Sequence, residues 1–183
     1  MITIRPATVD DADGIGRVSA ETWLATYRGL MPDSILDSVS VEGRIQRYRE
    51  ILAEPASPRS TFVAVDGGHV VGFAAGGAER TGAPPHPPAG GGSERGYTGE
   101  LYALYVLPPY HGQGIGRRLV AAVVERLRAQ GHAAMLVWVL AGNPARGFYQ
   151  HLGGQFVGHK HLPIQDATLL EEGYGFTFDT LRL

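Results

Sequence analysis

Between Leu101 and Leu127 a buried-looking strand stops at two prolines, crosses a glycine cluster and becomes a helix, and no other segment constrains the fold as strongly. Leu101 to Leu107 is apolar and rich in aromatic and β-branched residues, Pro108 and Pro109 cannot continue a ladder, and Ile115 to Leu127 resumes apolar residues at helical spacing. Gly112, Gly114 and Gly116 are therefore predicted at a helix N-terminus. The first N–H groups of a helix have no intrahelical acceptor and together carry about half a positive charge, so a nearby anion is stabilised. Glycine lets the anion come close and lets the backbone take positive φ. The junction is predicted to hold a phosphate. The plainer alternative is a glycine-rich turn without a ligand.

Neighbouring residues separate three phosphate-binding patterns. A P-loop needs Gly-Lys-Ser/Thr, and the chain's one lysine, Lys160, lies elsewhere. A dinucleotide fingerprint wants a third glycine or alanine and an acid about twenty residues on. Arg117 occupies the third-glycine position, and Met135 to Ala141 contains no acid. The pattern that fits is Arg/Gln-x-x-Gly-x-Gly/Ala, present as His111-Gly-Gln-Gly114-Ile-Gly116, and it resembles motif A of the GCN5-related N-acetyltransferases. The resemblance implies that His111, Gly112, Gln113, Gly114, Ile115, Gly116 and Arg117 hold the pyrophosphate of acetyl-CoA. It also implies that the main chain of Leu104, Tyr105 and Val106 bonds the pantetheine arm like an added strand. His111 departs from the family's usual Arg or Gln. A neutral imidazole still donates one hydrogen bond toward phosphate and a protonated one adds charge, so affinity is expected to fall mildly as pH rises past about 6.5; the alternative is a surface histidine where only the backbone matters. Of the paired Arg117 and Arg118, Arg117 is the favoured phosphate contact.

A second segment points the same way. Leu136 to Ala141 reads as a buried strand, and Gly142-Asn143-Pro144-Ala-Arg146-Gly-Phe148-Tyr149-Gln-His151-Leu152-Gly153 follows it. Asn143 suits an N-cap, Pro144 the first helical position and Gly153 the stop, which predicts a helix of about ten residues. This resembles motif B of the same family and adds Asn143 and Arg146 to the cofactor-binding set. The resemblance runs from Ile2 to the C-terminus and is weakest from Glu79 to Tyr97.

Composition narrows the function. At 183 residues and 44% hydrophobic, the chain is long enough for one core, and a single domain over 1–183 is expected. A net charge of −2 with scattered arginines argues against nucleic acid as a partner. No apolar run approaches a membrane span and Met1 to Arg5 does not read as a signal peptide, so a cytoplasmic location is expected. With no cysteine, acyl transfer cannot pass through a cysteinyl intermediate and would be direct. His159 and His161 alternate on a strand without a carboxylate at ligand spacing, so no metal is expected.

The rest of the chain alternates strands and helices. Ile2 to Arg5 is predicted as a strand, and Asp10 or Asp11 to cap a helix ending near Tyr27. A short helix should start at Met31-Pro32-Asp33, and Ser40 should cap a third, with Val41, Ile45, Tyr48 and Leu52 at helical spacing. Thr61 to Val65 and Val70 to Ala75 flank Asp66-Gly67-Gly68 as an antiparallel hairpin. Glu79 to Thr98, with Pro84 to Pro88 and Gly90 to Gly92, is predicted as a loop. Gln155 to Leu162 and Gly175 to Leu183 are predicted as the last two strands, separated by a loop over Pro163 to Gly173. The order gives an α/β fold with a mixed sheet. The resemblance implies a mostly antiparallel sheet flanked by helices and splayed between the strands that precede motifs A and B.

An amine with a pKa of about 10.4 loses its proton at neutral pH for about 4 to 5 kcal/mol, so a carboxylate or ordered water must help. The departing thiolate then needs a proton or hydrogen bond. The resemblance implies Tyr149 for that donor, at the motif B position that faces the sulfur. It also suggests Glu100, fourteen residues before Gly114, as the base; the plainer alternatives are a core tyrosine and a solvated edge charge. The segment Trp23 to Pro32 is similar to one in bacterial small-molecule members, where it walls the acceptor site; the alternative for Trp23 and Tyr27 is core. The expected activity is acetyl transfer from acetyl-CoA to an amine of a small molecule or peptide. A non-catalytic acyl-CoA sensor is the rival, and a homodimer is compatible with either.

Overall fold

Asp11 organises the N-terminal third of the chain. The computed structural model describes residues 1–54, 57, 59–80 and 96–183, and in it strand β1 (Thr3–Pro6) leads through a 3₁₀ turn to helix α1 (Ala12–Tyr27). The Asp11 carboxylate accepts from the Thr8 N–H at 2.8 Å and from both Arg5 terminal nitrogens at 2.7 Å. These bonds satisfy a helix-start donor and pin α1 to β1. Helices α2 (Asp33–Asp37) and α3 (Val41–Ala53) follow, and Ser40 Oγ caps α3 by accepting from Gly43 N–H.

Strands β2 (Ser60–Asp66) and β3 (His69–Ala78) form the expected hairpin, with Gly67 and Gly68 both at positive φ in its two-residue turn. The predicted loop from Glu79 lies largely outside the described residues. Strand β4 (Gly99–Val106), helix α4 (Ile115–Ala129), strand β5 (Ala134–Leu140) and helix α5 (Arg146–His151) give the two strand-to-helix units. The sheet closes with β6 (Gln155–Ile164) and β7 (Ala167–Thr177), and its order is β1-β2-β3-β4-β5-β7-β6.

Three predictions need correction, the first being the last strand, which ends at Thr177 and not at Leu183. Residues 163 to 173 are strand rather than loop, joined by a two-residue turn at Gln165, whose φ is +50, and Asp166. The sheet tolerates Pro163 because β6 is its edge strand, where a missing N–H breaks no ladder. The helix after Asn143 has six residues, not ten. Asn143 Oδ1 accepts from Ala145 N–H at 2.9 Å, and Arg146 and Gly147 N–H bond three residues back, so the first turn is too tight to be α-helical.

All neighbouring strands pair antiparallel except β4 with β5, which run parallel. That pair is joined only at Gly99–Met135, Glu100–Leu136 and Leu101–Val137, beyond which the strands diverge. A bulge contributes: the β3–β4 register slips between Ala75 and Gly76, opposite Tyr102. On one face of the sheet α4 buries Leu119, Val120, Val123, Val124 and Leu127 against Leu101, Met135 and Phe176. On the other, α1 and α3 bury Ile15, Val18 and Tyr48 against Phe73. The two faces of the sheet are thus covered by separate cores.

Candidate active site

A cavity of about 720 Å³ opens where β4 and β5 part. One end is the start of α4. Gly114 occupies the N-cap position at φ +75, no side chain caps the helix, and Gly112 before it has φ +74. Nothing lies within 4 Å of where a Cβ would stand on either glycine. The N-terminal amides of α4 therefore face open space, and Arg117 lines the same end. Arg118 is engaged elsewhere, donating to the Ile2 carbonyl at 2.9 Å.

One wall is β4 itself. Leu104, Tyr105 and Val106 line the cavity, and β5 does not pair with β4 beyond Leu101. The facing wall is Val137, Trp138 and Val139, with Asn143, Phe148 and Tyr149 above them. Tyr149 is buried, packs edge-on to Phe148 at 5.4 Å, and burial raises its pKa well above the ordinary tyrosine value, with a smaller contribution from Tyr27. Tyr27 lines the cavity too, its hydroxyl beside Tyr105 and Asn143. Trp23 stays outside, stacked edge-on to Tyr27 at 4.6 Å and covered by the Arg44 guanidinium.

Four of the residues singled out from sequence stand differently from their expected roles. Glu100 does not line the cavity and is 2% exposed, so it is neither a free base nor a solvated edge charge. Both its oxygens are held by Arg80, at 2.5 Å from Nη2 and 3.2 Å from Nε, and the Arg80 N–H donates as well. Arg146 points out of the cavity because Glu172 on β7 accepts from it at 3.0 and 3.1 Å. Gln113 turns back to donate to the Pro109 carbonyl at 3.2 Å. His111 lines the cavity, but its Nε2 lies 2.8 Å from the Val106 carbonyl. A neutral ring that donates there has no N–H left for a phosphate.

Sequence reasoning also overlooked a charged group beside the cavity. Lys160 Nζ lies 3.3 Å from Glu171 Oε2 and 4.4 Å from the ring centroid of Trp138. The register placing Lys160 opposite Glu171 comes from the β6–β7 hairpin that sequence patterning missed. Among the described residues no group of His, Asp or Glu is arranged to hold a metal, and no helix is long and apolar enough to cross a membrane.

Comparisons with known proteins agree with this geometry. Residues 23–154 match the model of the acetyltransferase (GNAT) family. The chain is 33% identical over 177 residues to the uncharacterized N-acetyltransferase YuaI of Bacillus subtilis, covering 96% of this chain and 93% of that one. It is 36% identical over 108 residues to mycothiol acetyltransferase of Frankia alni, covering 58% of this chain and 31% of that protein. The PaiA N-acetyltransferase of Thermoplasma acidophilum, solved in complex with coenzyme A, superposes with a TM-score of 0.60 at 19% identity, over 94% of this chain and 98% of the other.

Proposed function

Because the chain belongs to the GNAT family of acetyltransferases, we propose that it moves an acetyl group directly from acetyl-CoA to a primary amine of a small molecule or peptide. The supporting observation is the cavity that runs from the uncapped start of α4, along the unpaired edge of β4, to the buried Tyr149. The residues present fit the cosubstrate: Gly112 and Gly114 leave free the space a side chain would take, and the amides of α4 have no competing cap.

Bound acetyl-CoA supplies an acyl group activated as a thioester. The α4 amides and Arg117 would neutralise its diphosphate, and the edge of β4 from Leu104 to Val106, which β5 leaves unpaired, would orient the arm as an added strand is oriented, the Val106 carbonyl being shared with His111. In the transfer a C–N bond forms and the C–S bond breaks. The amine's proton leaves to water, and the Tyr149 hydroxyl donates toward the sulfur as charge develops there. A phenol whose pKa is raised by burial stays protonated through the neutral range, so Tyr149 always enters as a donor.

Glu100 has no place in this scheme, since a proton on its carboxylate would displace charge-assisted bonds from Arg80. Glu100→Gln is therefore expected to lower stability by about 2 kcal/mol, read from the denaturant midpoint, because it leaves the guanidinium without its counter-charge. The pH–rate profile of the folded fraction should not move. Loss of a basic limb from that profile would return Glu100 to the chemistry. The function is tested by screening amines with thiol detection: release of coenzyme A that depends on an amine supports transfer, and none across a broad panel, with the coenzyme bound, would favour a sensor.

A further inference from the structure

Helix α5 carries the buried Tyr149, and six residues are too few for a helix to hold its own position. Packing orients the Tyr149 ring, and among the described residues no partner fixes its hydroxyl by a hydrogen bond. Where that hydroxyl lies therefore depends on how α5 is seated on the sheet. Glu172 and Tyr174 of β7 provide the seat. Glu172 accepts from Arg146 Nη1 at both carboxylate oxygens, at 3.0 and 3.1 Å, and Tyr174 Oη donates to Glu172 Oε2 at 2.8 Å. The hydroxyl of the buried Tyr174 also lies beside the Gln150 side chain.

The two elements meet at matching spacings. Arg146 and Gln150 stand one turn apart on one side of α5, and Glu172 and Tyr174 share one face of β7, so the helix is held at both ends of the turn that bears Tyr149. Desolvation works against the Glu172 carboxylate, but the Tyr174 hydroxyl and Arg146 outweigh it and hold its pKa below the ordinary value. The clamp is thus charged at neutral pH. Neither Glu172, Tyr174 nor Arg146 lines the cavity, so the group touches no reactant and reaches the chemistry only through α5.

We infer that Glu172 is a positioning residue for the transfer, fixing α5 through Arg146 and Tyr174 so that the Tyr149 hydroxyl meets the sulfur. This rests on the transferase function and on the donor role of Tyr149 proposed above. Misplacing a reacting group by about 1 Å can cost about 100-fold in rate, so a seat of this kind has kinetic consequences beyond stability.

The test is a double-mutant cycle of Glu172→Gln with Tyr149→Phe, read as thiol release from acetyl-CoA with the most active amine of the screen described above, per mole of folded protein. Glu172→Gln should lower kcat by about 10-fold, part of the cost of a misplaced group, while KM for acetyl-CoA holds because α4 and β4 are untouched. In the Tyr149→Phe background the same change should lower kcat by less than about 2-fold, because the hydroxyl being placed is gone. A purely structural role would lower the rate by the same factor in both backgrounds. Tyr174→Phe removes one hydroxyl and keeps the ring, and it decides the matter if Glu172→Gln does not fold: kcat should fall by about 3-fold, the worth of one neutral hydrogen bond, and only while Tyr149 is present. Equal losses in the two backgrounds, or kcat unchanged in Glu172→Gln and Tyr174→Phe, overturns the inference and leaves the transferase standing. Undiminished kcat in Tyr149→Phe removes the donor role and this inference with it, and no thiol release from wild type with any amine overturns the transferase as well.

Discussion

Tyr149→Phe is expected to lower kcat by about 100-fold, the lower end of what a positioned general acid contributes. The substitution removes one hydroxyl and keeps the ring that packs against Phe148, so the melting temperature should change little. KM for acetyl-CoA should also hold, because the diphosphate and arm contacts lie on α4 and β4. Loss of a donor that acts only as charge develops reduces kcat and kcat/KM together. Burial raises the Tyr149 pKa, so the hydroxyl remains protonated below about pH 10 and no alkaline limb of the wild-type profile should belong to it. A variant retaining kcat within about 3-fold, well inside the effect of any general acid, would remove Tyr149 from the mechanism.

Gly114→Val is expected to weaken coenzyme A binding by about 100-fold, from two causes that act together. A β-branched residue at φ +75 is strained by about 1 to 2 kcal/mol and pulls the N-cap away from its conformation. Its side chain also projects into space that is open in the structure, where an approaching anion would have to sit. Gly131→Val, just past the C-terminal end of α4, provides the control, since it meets a similar backbone penalty at φ +89 at the opposite end of the helix from the glycine turn. Both variants should lose comparable stability, and only the first should lose coenzyme A affinity in a calorimetric titration. Affinity retained within about 2-fold would mean that the helix N-terminus is not the anion site, since removing a single charge-assisted bond already costs more.

The strand-to-helix units were legible because their punctuation is local. Pro108, Gly112 and Gly114 act on the residues beside them through φ, missing donors and open space, and each stands at the junction its chemistry predicts. The divergence of β4 and β5 matches the resemblance for a different reason, a bulge at Tyr102 that no local pattern announces. Local rules misplaced two residues. Asn143 looked like the cap of a ten-residue helix, yet its side chain tightens the first turn. Pro163 looked like a loop residue, yet it lies at an edge where it costs no hydrogen bond.

Sequence alone determined the secondary elements around both glycine-bearing turns and the line of backbone along β4, since these follow from how each residue constrains its own peptide units. Which charges are free to act was decided only by tertiary structure. Glu100, Arg146 and His111 have the right chemistry for a site, but Arg80, Glu172 and the Val106 carbonyl, distant or unremarkable in sequence, already occupy their polar atoms. Arg59 is the converse case, an ordinary residue in sequence whose Nε packing encloses without a hydrogen-bond acceptor. A side chain's donors and acceptors are spent on whatever the fold brings within about 3 Å, and that distance is set by the whole chain.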